Sequence, residues 1–258
     1  MKKIGLSLLA FIFLGYLAVC ILMYIIQNSF IYYPGPIDES KSYIAEYKNS
    51  EIIINHEDIN LHGWLLNSGK SKLIIYYGGN GEEVSHNLND LSRFKNYSIL
   101  LLNYRGYGKS EGSPDQDAIF EDALFIYDRF SEDYEEVILF GRSLGTGVAS
   151  YVAGKRNPSK NILVTPFDCL ANVAQSYYPY LPVNLLITQK FDSVENIKDY
   201  KNRSLVFIAG TDKIIPNKSS YNLAEKLGDS CKTVFIKDAG HNDIQSYPEY
   251  WKEIARFL

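Results

Sequence analysis

Three side chains far apart in the chain carry groups that together could perform acyl transfer: Ser143, Asp212 and His241. Ser143 stands in Gly141-Arg142-Ser143-Leu144-Gly145, between the apolar run Val137 to Phe140 and the helix-compatible stretch Thr146 to Ala153. Strand, Gly-x-Ser-x-Gly, helix is the context of a nucleophile elbow. Such a turn holds the serine at a strained backbone position, and its glycines let strand and helix pack with no Cβ between them. The helix that follows aims its N-terminal amides and positive dipole end at charge developing on a substrate. The five-residue pattern arises often by chance. The reading therefore needs a base, an acid and a second oxyanion donor elsewhere in the chain.

With an elbow serine the partners follow in the order Ser, acid, His, each just past a strand. Of the four histidines, His56, His62 and His86 precede Ser143 and read as surface or packing residues. His241 alone follows the last expected strand, in Asp238-Ala239-Gly240-His241-Asn242-Asp243, where its imidazole could take the serine proton. The acid belongs after the preceding strand, where Ala209-Gly210-Thr211-Asp212 offers Asp212 to orient the imidazole and stabilise its cation. Asp192, Asp238 and Asp243 compete; the first lies in an irregular segment and the other two sit too near His241 along the loop. For the oxyanion, one donor is the Leu144 amide. The other is assigned to the amide of Asn80, in the turn Gly78-Gly79-Asn80-Gly81, where glycines let the backbone approach a substrate.

The elements that must position these groups read as alternating strands and helices. Strands are expected at 51–56 and 60–66 as a hairpin around Glu57-Asp58, then at 73–77, 99–102, 137–140, 161–164, 205–209 and 233–236. Helices are expected at about 83–95, from a Ser113 N-cap with Pro114 to about Phe130, from Thr146 to Ala153, and at 217–227 and 248–258. Residues 166–203, interrupted by Pro179 and Pro182, are left as an irregular, small cap segment. This pattern implies an α/β fold with a doubly wound, mostly parallel sheet, in which ligands bind at the carboxyl ends of the strands.

At 258 residues, 46% hydrophobic and 22% charged, the chain suits one large domain behind an N-terminal segment. A net charge of −4 without a basic stripe argues against a nucleic-acid partner. The three cysteines, Cys20, Cys169 and Cys231, form no C-x-x-C and there is no histidine cluster, so no metal site is implied. Cys169 and Cys231 could pair in an oxidising compartment, but their spacing does not say so. From Ile4 to Ile26 the side chains are apolar except for Ser7, a run that spans about 34 Å as a helix. Residues 1–30 are thus expected to be a single-pass membrane anchor, with residues 31–258 as the folded domain. A cleaved signal peptide or a lipidated Cys20 are the alternatives. Lys2 and Lys3 before the span, and Asp38 and Glu39 after it, would place the domain on the extracytoplasmic side.

From about Tyr32 onward the chain resembles the Bem46-like branch of the α/β-hydrolase superfamily. The resemblance rests on Asn103-Tyr104-Arg105-Gly106-Tyr107-Gly108-Lys109-Ser110-Glu111-Gly112, the Ser143 pentapeptide and Pro166-Phe167-Asp168. It extends through Tyr178-Pro179-Tyr180-Leu181-Pro182-Val183, Asp212 to Pro216, and Ala239 to Asp243. It implies the α/β-hydrolase fold and a serine hydrolase acting on esters or thioesters of acyl chains, without cofactor or metal, and the expected anchor beside lipid points to lipid-like substrates among them. Two departures stand out. Gly78 occupies the place where that group has a histidine bracing the oxyanion turn, and the Gly210–Asp212 stretch is one residue short. Ser143 itself argues against dehalogenase or epoxide-hydrolase chemistry, which needs a carboxylate nucleophile. A peptidase or amidase on the same fold, and a non-catalytic binding protein, remain the alternatives.

Overall fold

The structure is a computed structural model that describes residues 2–258, with side chains from Gly5 onward. Met1 and the side chains of Lys2 and Lys3, on which the expected orientation rests, lie outside the described residues. Among the described residues eight strands form one sheet: β1 (Glu51–His56), β2 (Ile59–Leu66), β3 (Lys72–Tyr77), β4 (Ser98–Leu102), β5 (Glu136–Arg142), β6 (Lys160–Val164), β7 (Arg203–Ala209) and β8 (Cys231–Ile236). Their order is β1-β2-β4-β3-β5-β6-β7-β8, with β2 antiparallel to both its neighbours and every other pair parallel. This is the α/β-hydrolase fold.

The parallel strands read as unbroken apolar runs because both sheet faces are covered. Along β5, Val137 and Leu139 enter one core, while Ile138 and Phe140 enter the other. The first core is closed by α2 (Gln116–Ser131), α3 (Leu144–Arg156) and α5 (Asn217–Leu227); α1 (Lys2–Ile26) precedes them and α4 (Leu170–Tyr177) lies between α3 and α5. The second is closed by the segment around Val84, Leu88 and Leu91 and by α6 (Pro248–Phe257), through Tyr250, Ile254 and Phe257. Each such fully buried aliphatic side chain contributes about 1.5–3 kcal/mol, so β5 is held rigidly at the point where it delivers Ser143.

The β1–β2 hairpin turns through Glu57 and Asp58, both at positive φ (50° and 61°), the geometry that a two-residue turn matched to strand twist requires. Three expectations are corrected. The helix at 83–95 shrinks to single turns at Val84–Asn87 and Leu88–Leu91. Side chains capture its backbone donors there: Asn103 Oδ1 accepts from the Val84 amide at 3.0 Å and Glu83 from the Ser85 amide at 3.2 Å. The cap of α2 is Asp115 and not Ser113, because the Asp115 carboxylate accepts from the Asp117 amide at 3.0 Å. The cap segment is also more ordered than irregular: it holds α4 and one-turn helices at Val183–Leu186 and Ser193–Asn196, with Pro179 and Pro182 between α4 and the first of these. Cys169 and Cys231 are unpaired.

The helix α1 has one apolar stretch, Gly5–Ile26, long enough to be a candidate transmembrane helix, and its side chains stand almost entirely exposed.

Candidate active site

Ser143 sits between the last residue of β5 and the first of α3, at φ 49° and ψ −118°. A non-glycine residue there costs on the order of 1–3 kcal/mol and persists only where its surroundings impose it. The surroundings do. The Ser143 amide donates to the Val164 carbonyl at 2.9 Å, and its carbonyl accepts from the Thr146 amide at 2.9 Å and the Thr146 hydroxyl at 2.7 Å. Glycine is obligatory at both flanks. A Cβ on Gly141 would lie 2.4 Å from the Gly145 carbonyl oxygen, and one on Gly145 would lie 2.1 Å from that of Tyr77.

The loops after β7 and β8 bring the other two expected residues to this serine. His241 Nε2 lies 2.9 Å from Ser143 Oγ, and His241 Nδ1 lies 2.8 Å from Asp212 Oδ2. A carboxylate only accepts, so Nδ1 carries the proton and Nε2 is left to accept from the serine hydroxyl. Asp212 is itself fixed, its Oδ1 accepting from the amides of Ile214 and Ile215, each at 2.8 Å. The short Gly210–Asp212 spacing therefore does not displace the carboxylate. Two of the competing aspartates are engaged elsewhere: Asp192 caps a one-turn helix through the Glu195 amide, and Asp243 accepts from the Gly240 amide. His56 pairs with Asp122 at 2.6 Å and His62 with Glu51 at 2.7 Å, far along the sequence from the site.

The glycine turn after β3 runs beside Ser143; a Cβ on Gly79 would lie 3.6 Å from that of Ser143. Asn80 and Leu144 line the same cavity as Ser143. The Leu144 amide, at the first position of α3, is among those with no intrahelical acceptor. What holds the turn in place of a histidine at Gly78 is a set of residues to which the sequence assigned no such role. The buried Glu82 accepts from the Gly79 amide at 3.2 Å, from the Tyr76 hydroxyl at 2.6 Å and from Arg142 Nη1 at 2.8 Å. The Tyr104 hydroxyl donates to the Gly78 carbonyl at 2.9 Å and the Tyr107 hydroxyl to the Asn80 carbonyl at 2.6 Å. Burial, followed by the Glu82 charge, pushes the Tyr104 hydroxyl well above its usual pKa; burial does the same for Tyr107. Both remain donors. Their signal was present in the motif containing Tyr104 and Tyr107, but its spacing does not say what the hydroxyls reach.

Two cavities meet at Ser143. One, of about 260 Å³, is apolar, with Phe30, Ile31, Leu170, Val173 and Ile187 among its walls. The other, of about 450 Å³, is polar, with His86, Asp90, Arg142, Asn242 and Gln245 beside His241. A larger, open polar groove of about 670 Å³ around Asp168, Lys190 and Asn222 touches none of Ser143, Asp212 and His241. The site can therefore hold an apolar group on one side of the hydroxyl and a polar one on the other.

No family model matches the chain. A protein of Acanthamoeba polyphaga mimivirus, an alpha/beta hydrolase by name, is 30% identical over 183 residues, covering 67% of this chain and 68% of its own length. The bem46 protein of Schizosaccharomyces pombe is 25% identical over 84% of this chain and 78% of its own, and an uncharacterized membrane protein of Saccharomyces cerevisiae is 27% identical over 80% and 78%. Among solved structures, the Pyrococcus furiosus esterase Pf2001 superposes with a TM-score of 0.68 at 18% identity, over 88% of this chain and 97% of that one, a likeness of fold.

Proposed function

The chain belongs to the α/β-hydrolase superfamily, and on that premise we propose that it is a membrane-anchored serine hydrolase of carboxylic esters or thioesters. The observation that carries this reading is the continuous hydrogen-bonded series Asp212–His241–Ser143, at 2.8 and 2.9 Å. In this scheme Ser143 Oγ attacks the acyl carbonyl while His241 Nε2 takes its proton, and Asp212 keeps the imidazole in the useful tautomer and stabilises its cation. The amides of Leu144 and Asn80 receive the oxyanion. His241 returns the proton to the departing alcohol or thiol, then activates water to release the acyl group from Ser143. Residues 31–258 form the hydrolase domain and residues 1–30 the anchor.

The test is labelling of the folded protein by a fluorophosphonate, together with hydrolysis of p-nitrophenyl butyrate, in the wild type and in Ser143→Ala. Ser143-dependent labelling and turnover are expected. Full activity in Ser143→Ala refutes the nucleophile; absence of both in folded wild-type protein favours a binding protein; faster turnover of aminoacyl amides than of acyl esters makes it a peptidase.

A further inference from the structure

The helix α1 does not leave the domain at its end. Its second half lies along the cap. The Tyr16 hydroxyl donates to the Tyr180 carbonyl at 2.9 Å, Gln27 Nε2 donates to the Leu186 carbonyl at 3.2 Å, and the Thr188 amide donates to Gln27 Oε1 at 2.7 Å. Tyr16 precedes the end of α1 by about 15 Å of helix. The part beyond the cap is therefore too short by itself to cross a hydrocarbon core of about 30 Å. A membrane that takes up α1 must take up the tip of the cap as well, to a depth on the order of 10 Å.

That tip is built to enter lipid. Between Leu170 and Gln189 there is no Asp, Glu, Lys or Arg. Tyr180 and Leu185 point outward at 88% and 84% exposure, with Tyr177 and Tyr178 exposed beside them. The backbone there is largely satisfied from within, as an apolar medium demands. Leu181 N–H donates to Tyr178 O, Leu185 N–H to Pro182 O and Ile187 N–H to Val183 O, while Gln175 Nε2 donates to the carbonyls of Tyr178 and Leu181. Pro179 and Pro182 carry no N–H to satisfy.

The apolar cavity beside Ser143 runs toward the same place. Phe30, Ile31, Ala174, Tyr178 and Ile187 wall both that cavity and a smaller one, of about 80 Å³, that reaches Met23 and Gln27 at the end of α1. Together the two cavities fall only at the low end of the roughly 300–1,000 Å³ of ordinary ligand pockets, which suits one acyl chain better than two.

We propose that the cap tip, residues 177–187, is inserted in the same lipid leaflet as the second half of α1, and that the apolar cavity admits the acyl chain of a membrane-resident monoacyl ester directly from that leaflet. The polar alcohol then lies in the cleft of His86, Asp90 and Asn242, where it departs with the proton from His241 once the Ser143 Oγ–acyl bond has formed. This substrate class rests on the serine-hydrolase reading above.

The experiment uses the full chain in phosphatidylcholine vesicles. Fluorescence of Tyr180→Trp is compared with that of the parent, in vesicles with and without lipids brominated along the acyl chain. The rate ratio of a p-nitrophenyl hexadecanoate in the vesicle to soluble p-nitrophenyl butyrate is measured for wild type, Tyr180→Asp and Leu185→Asp; both positions are solvent-exposed, so these changes leave the fold intact. Quenching of the added indole and a ratio lowered roughly tenfold or more by either aspartate are expected, from the cost of carrying a carboxylate into lipid. Butyrate turnover with no quenching, or with an unchanged ratio, overturns the inference and leaves the serine hydrolase standing. No turnover of either ester by the wild type overturns the hydrolase reading and the substrate assignment together, while quenching then reports insertion alone.

Discussion

Glu82 and Arg142 form an ion pair of 2.8 Å beneath the turn that flanks Ser143, and the same carboxylate accepts from the Gly79 amide within that turn. Arg142 is the first variable residue of the serine pentapeptide, so this contact ties the Gly78–Gly81 turn to the loop that carries Ser143. Burial opposes the charge on Arg142, but Glu82 outweighs it and raises the guanidinium pKa further. The Glu82 carboxylate sits where a side chain at position 78 would point, 3.2 Å from a Cβ built on Gly78.

Glu82→Gln keeps the volume and loses the charge. We expect kcat/KM for a short ester to fall by roughly 10–100-fold, less than the loss of an oxyanion donor outright, with the change in kcat and not in KM. Arg142→Met leaves the carboxylate buried and unpaired, and should lower the unfolding free energy by about 3–5 kcal/mol. Steady-state kinetics and urea denaturation check the two.

Asp212→Asn separates orientation from folding. Asp212 Oδ1 holds the amides of Ile214 and Ile215, and an amide oxygen can keep those contacts. An NH₂ facing His241 Nδ1 instead imposes the wrong tautomer and removes the acceptor from Nε2. A loss of roughly 10³–10⁴-fold in kcat is expected with the melting temperature little changed, measured with p-nitrophenyl butyrate and by thermal unfolding.

Much of this site was legible because its groups are punctuated locally. Ser143, Asp212 and His241 each follow a buried strand in a short loop, and β3 and β5 announce themselves as apolar runs packed on both faces. Glu82 gave no such signal: Tyr76, Gly79 and Asn87 lie close to it in the chain at spacings that mark no contact, and Arg142 arrives from 60 residues away. The same blindness explains the helix expected at 83–95, whose donors are taken by Glu83 and by the distant Asn103. It explains the cap as well, where Pro179 and Pro182 hid the turns that α1 docks against.

Gly145→Ala tests the fit between elbow and oxyanion turn. The added Cβ would lie 2.1 Å from the Tyr77 carbonyl oxygen and 2.7 Å from that of Gly78, both backbone atoms that can yield only by moving the turn. A stability loss of about 1–3 kcal/mol is expected from overpacking, with kcat falling further than the stability change explains. Fluorophosphonate labelling rates, measured where the variant is still fully folded, separate the two effects.

Glu136 opens β5 at the end opposite Ser143, and its carboxylate pairs with Lys72 of β3 at 2.8 Å and with Lys160 of β6 at 2.9 Å. Burial raises its pKa, but the two ammonium groups outweigh burial and hold it below the usual glutamate value. A carboxyl whose pKa is lower in the folded than in the unfolded chain contributes stability above the unfolded value, and that contribution disappears as pH falls through the folded one. Glu136→Gln should therefore destabilise the protein at about pH 6, and the difference should shrink as pH falls through the lowered pKa of the folded carboxyl, where the wild-type group becomes protonated as well. Urea midpoints of the two proteins across this range give the answer; a difference that stays constant with pH would assign the effect to packing at the strand end and not to the ion pairs.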